Sequence, residues 1–108
     1  MTDEPPIQNI DRIDLVAKRK DGGVDLVIVA SSRVTDSPEH QRLLLDKIQS
    51  YLEQCNSAEF REEFGRAAKV RIVVAFSQQP DPLILELLNR SAGWVEDNHA
   101  ELTTKVGI

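Results

Sequence analysis

The sequence predicts an α+β domain, a two-layer α/β sandwich in which a four-stranded mixed sheet carries both main helices on one face. Two observations carry that expectation. Asp21-Gly22 separates two runs whose apolar residues alternate, the pattern of a β-hairpin. A unit of strand, polar loop and proline-started helix then occurs twice, as VDLVIVASS with DSP and as VRIVVAFSQ with DP. Parallel strands joined by right-handed crossovers place successive helices on the same face when the sheet grows in one direction. The expected order is therefore ββαβαβ, with a short extra helix before the third strand.

Taken along the chain, residues 1–9 read as a loose lead containing Pro5-Pro6, and residues 10–108 as one domain. From Ile13 to Lys18 the alternation puts Ile13, Leu15 and Ala17 on one side and Asp14, Val16 and Lys18 on the other. A two-residue type I′ turn at Asp21-Gly22 would set Val16 opposite Val27 and Lys18 opposite Asp25. That register places Leu15 and Ala17 on the same side as Leu26 and Ile28, and Val16 with Val27 and Val29 on the reverse.

Ser37 followed by Pro38 is an N-cap and a first-turn proline, starting a helix that runs to about Cys55. Leu44, Leu45, Ile48, Tyr51, Leu52 and Cys55 fall in a stripe of about 120°, with Leu43 well off it and exposed. Ser57 caps a short helix through Phe64 that Gly65 stops, a plug over one end of the core. VRIVVAF, Val70 to Phe76, is apolar on both sides apart from Arg71 and reads as a central strand. Asp81-Pro82 opens a helix through roughly Val95, which Gly93 can end before Trp94. Its stripe Ile84, Leu85, Leu88, Ala92 and Val95 has a second stripe beside it, Leu83, Leu87 and Trp94. Together these span about 200°, more than one sheet contact uses. Glu101 to Val106 alternates and supplies the last edge strand.

Composition narrows the function classes. With 108 residues, 41% hydrophobic and 29% charged, the chain suits a single soluble globular domain. A net charge of -5 without a basic stripe argues against nucleic acid and against anionic membranes, and Lys18-Arg19-Lys20 has no interleaved aromatic residue for stacking on bases. The acidic, proline-bearing start lacks the pattern of a signal peptide, and no apolar run reaches membrane-spanning length. One cysteine, Cys55, excludes an internal disulfide, and a cytoplasmic location is expected. His40 and His99 have no ligand spacing, so neither a metal nor another cofactor is expected. No catalytic residue is indicated, and Asp14, Asp25, Glu62 and Glu63 are expected at the surface.

Two candidate surfaces remain. Ser31, Ser32, Arg33, Ser77, Gln78 and Gln79 should gather at the carboxyl edge of the parallel strands, near two helix N-termini. There they either hold a small anionic ligand or cap helices and solvate turns. The other candidate is surplus hydrophobic surface: Val16, Val27, Val29, Val73 and Ala75 on the far side of the sheet, and Leu83, Leu87 and Trp94 on the last helix. Either a homodimer covers the sheet face, or the lead and the segment from Ser57 to Gly65 fold across it. The expectation is a non-enzymatic domain that acts by binding protein, itself or a partner; the alternative is a small-molecule binder or minor enzyme at the Ser31–Arg33 and Ser77–Gln79 edge.

The stretches IDLVAKRKDGGVDLVIV with HQRLLLDKIQSYLE, and KVRIVVAF followed by PDPLILELL, resemble a family of short bacterial domains of unknown function. That resemblance implies the hairpin, helix, strand, helix, strand order and carries no activity onto individual residues.

Overall fold

The structure, a computed structural model, describes residues 5–10 and 12–107. Its elements are β1 (Leu15–Lys18), β2 (Val24–Ala30), α1 (Pro38–Cys55), α2 (Ala58–Phe64), β3 (Val70–Phe76), α3 (Pro82–Asp97) and β4 (Ala100–Val106). The sheet order is β1-β2-β3-β4, with β1 antiparallel to β2 and the other pairs parallel. Both crossovers step the same way, so α1 and α3 cover one face. The core lies between: Leu26 and Ile28 of β2 and Ile72 and Val74 of β3 meet Leu44, Ile48, Ile84 and Leu88, all buried.

Local signals set the helix starts. The Ser37 side chain accepts from His40 N–H, Ser57 from Phe60 N–H and Asp81 from Leu83 N–H, and proline follows Ser37 and Asp81 in the first turn. Gly65, at φ 101°, closes α2. Gly93 does not end α3, which continues to Asp97 because a helical glycine costs only about 1 kcal/mol against alanine and Trp94 and Val95 beyond it are packed at the core. Leu43 is half-buried against the core rather than exposed.

The hairpin departs from the expected register. Lys18 pairs with Val24 and Val16 with Leu26, one residue off the two-residue-loop alignment. Gly22 N–H bonds Arg19 O at 3.1 Å, Arg19 N–H bonds Gly23 O at 2.8 Å, and Gly22 sits at φ 89°. The loop is thus Lys20-Asp21-Gly22, a type I turn closed by a glycine bulge. The Asp21 carboxylate secures it, accepting from Gly23 N–H at 2.8 Å and Arg19 Nε at 3.2 Å. A one-residue shift turns every β1 side chain over. Leu15 and Ala17 join the uncovered face, and Val16 and Lys18 turn toward the helices.

Among the described residues, α2 packs on the helix side of the sheet, and the lead borders the uncovered face only at its Val29 end. In α2, Phe60 belongs to the core, and Phe64 stacks on it at 4.6 Å and receives the helix-side Lys18 amine at 5.5 Å. The described part of the lead is anchored instead of loose: Pro6 O accepts from Ser31 N–H, Ile7 is 1% exposed within the core, and Gln8 O accepts from Lys47. Residues 1–4 lie outside the described residues.

Candidate functional site: the open face of the sheet

The strand registers build the open face row by row. Ala17, Asp25, Arg71 and Glu101 form one row, Leu15, Val27, Val73 and Thr103 the next, and Val29, Ala75 and Lys105 the third. The first row is charged, and within it Asp25 is matched to Arg71. Arg71 grips Asp25 with Nε to Oδ1 at 3.0 Å and Nη2 to Oδ2 at 2.7 Å, while Arg19 Nη1 reaches Oδ1 at 2.6 Å. Desolvation pushes the Asp25 carboxyl upward, but the hydrogen bonds from Arg71 and Arg19 outweigh it and hold the pKa below the ordinary value. The same bond to Asp25 is the main cause raising the Arg71 pKa. The other two rows are mostly apolar. Leu15 is 57% exposed, and a depression of about 440 Å³ runs between the charged row and Lys105.

Of the expected interface residues, Val27, Val29 and Val73 come together here. Val16 does not, because the hairpin register puts it on the helix side, beside Phe60 and Phe64. Leu83, Leu87 and Trp94 lie on α3, across the sheet from this face; Leu83 is 51% exposed, Leu87 half-buried, and Trp94 packs against the core. The ligand-edge loops do meet, through Ser77 N–H to Ala30 O and Asp81 N–H to Val34 O at 3.0 Å. Ser31 is tied to Pro6 O by its N–H, and Arg33, Ser77, Gln78 and Gln79 are exposed while Ser32 is half-buried. The nearby helix N-termini are engaged by the Ser37 and Asp81 side chains.

Two polar arrangements escaped the sequence reading. Lys47 is fully buried on α1, its Nζ 2.8 Å from Asp14 Oδ1, and Asp14 Oδ2 accepts from Val29 N–H at 2.9 Å. Asp14 is thus paired, not simply solvated at the surface, and it replaces the ladder bond that would have extended β1 back to Ile13. The signal was present, since Lys47 falls inside the Leu44, Ile48, Tyr51 stripe. The Asp25–Arg71 pair was equally visible: both occupy the second position of strands with the same pattern, and a parallel register aligns them.

The chain is therefore a two-layer α/β sandwich with both main helices on one sheet face. On the other, among the described residues, Leu15 is exposed, Val27 and Val29 are half-buried, and Val73 and Ala75 on the central strand are 8% and 2% exposed. Among the described residues no group of three or more His, Cys, Asp or Glu is gathered to hold a metal, and no helix is long and apolar enough to cross a membrane. Residues 6–107 match the family of unknown function DUF6572, and the chain belongs to that family. No curated protein and no solved structure matches it.

Proposed function

We propose that this is a non-enzymatic domain that works by binding protein through the open face of its sheet, with a second copy of the chain as the partner. One observation carries the reading: β2 and β3 are apolar on both sides, and both helices cover the same side. Parallel strands are ordinarily covered on both faces. Within the charged row Asp25 is already paired with Arg71 and Arg19, which offsets part of the desolvation cost of covering it. The buried Cys55 thiol, its pKa pushed up by desolvation, behaves as a small apolar core group and suits a cytoplasmic setting. An anionic ligand at the Arg33 edge is the weaker reading, since the nearby helix starts already hold side-chain caps.

The test is mass in solution. The wild-type chain should run at twice its 12.1 kDa by light scattering, and Leu15→Asp, at a site exposed in the single chain, should halve that mass while leaving the circular dichroism spectrum unchanged. A wild type that stays monomeric at its highest soluble concentration sinks the reading.

A further inference from the structure

We infer that the second copy packs face to face with its strands reversed, about a two-fold axis that crosses the strands at the level of Val27, Val73 and Thr103. This rests on the self-association proposed above and adds how the copies meet. A two-fold interface must be complementary to itself, and the limiting in-plane axes run along the strands and across them. The charges choose between them. Glu101 and Lys105 are both exposed on the open side of β4, opposite Arg71 and Ala75, with Thr103 midway. Neither makes a salt bridge or hydrogen bond among the described residues, although Glu101 attracts the neighbouring Arg71 guanidinium through space.

An axis across the strands through Thr103 sets Glu101 over the partner's Lys105 and Lys105 over the partner's Glu101. Both pairs lie along the β4 edge of the interface, about 13 Å apart at the rise of a strand. Sheets stacked about 10 Å apart leave a gap that a glutamate and a lysine reaching from opposite sides can bridge. The same operation lays the charged row over the partner's third row, where Ala75 is small and the depression lies, so the aliphatic stem of Arg71 has room. An axis along the strands would instead set Arg71 over the partner's Asp25. Both groups are already committed within the chain, at 2.7 and 3.0 Å, and Glu101 and Lys105 would gain no opposite charge from the partner.

The face is about 19 by 23 Å, from four strands about 4.8 Å apart and seven residues at about 3.3 Å each. Two such faces bury about 900 Å², below the range of standard stable interfaces and within that of weak, transient ones, where edge charges decide whether association holds.

The experiment uses charge reversal at low ionic strength, because salt screens exposed pairs. Glu101→Lys puts like charges together in both pairs, and so does Lys105→Glu. Each variant alone should weaken self-association about tenfold or more and run as a monomer with a wild-type circular dichroism spectrum. Mixed one to one, the two variants should recover the dimer mass as a heterodimer, and Glu101→Lys with Lys105→Glu in one chain should self-associate. If the wild type is dimeric and both single variants remain so, the reversed seating is wrong while the self-association stands. Single variants that separate but do not recover on mixing also overturn it. A monomeric wild type removes the self-association and the seating with it.

Discussion

Lys47 carries a full charge into the space between α1 and the sheet, with no exposed surface of its own. Burying an ammonium is costly unless each proton finds an acceptor. Here Asp14 Oδ1 lies at 2.8 Å, Gln8 O at 2.5 Å, and the Tyr51 ring is 5.8 Å from the amine. Tyr51 completes the network, its hydroxyl donating to Val27 O and accepting from Asp14 N–H, both at 2.8 Å. Desolvation raises the Tyr51 pKa far above the phenol's ordinary value, so the donor persists at any physiological pH. The cluster binds the lead, the start of β1, the middle of β2 and α1 into one unit. Lys47→Met, similar in length and apolar, would remove the bonds that Lys47 donates to Asp14 Oδ1 and Gln8 O. We expect a loss of about 3 kcal/mol in urea unfolding, the low end for a broken buried pair because Asp14 keeps 20% side-chain exposure. A loss below about 0.5 kcal/mol would mean that water replaces the ammonium without penalty.

The elements divide by how far their determinants lie along the chain. Caps are local, so Ser37-Pro38, Ser57 with Gly65, and Asp81-Pro82 are readable directly and stand where the sequence puts them. The hairpin register is not local in the same sense. Asp-Gly is compatible with a two-residue and a three-residue loop, and the Asp21 carboxylate, by accepting from Gly23 N–H and Arg19, selects the longer one. The start of β1 depends on a partner thirty-three residues away, the Asp14–Lys47 pair, which no window of alternating residues can contain. The consequence for the candidate site was direct: the sequence assigned Val16 to the open face, and the observed register substitutes Leu15 and Ala17. Gly22 is the residue on which this register turns. Gly22→Ala meets no steric obstacle from neighbouring atoms, yet its backbone at φ 89° is unfavourable for any side chain. It should destabilise the chain by about 1 kcal/mol in chemical denaturation, whereas exposed Lys20→Ala in the same loop should stay within about 0.5 kcal/mol. Equal effects of the two would show that the left-handed bulge is not what fixes the loop.

At the scale of the whole molecule, the two-sidedness of β2 and β3 was legible because apolar residues stand at consecutive positions in VDLVIVA and VRIVVAF. Which rows survive uncovered was not, since that depends on the hairpin register and on where α2 and the lead are anchored. Covering the open face would link folding to association. A partner that binds only the folded chain stabilises it by mass action, so melting temperature must rise with chain concentration. For a two-state dimer of this size, each tenfold increase in concentration should raise the melting temperature by about 3 °C. Leu15→Asp, which places a carboxylate in the middle row, should flatten that dependence. Its own melting temperature at high dilution should approach that of the wild type at the same dilution, because Leu15 is largely exposed in the separate chain. Calorimetry across such a dilution series therefore separates the two roles of the residue: a dependence lost with the dilute melting temperature preserved assigns Leu15 to the contact between copies, and a lowered dilute melting temperature assigns it to the fold of the single chain.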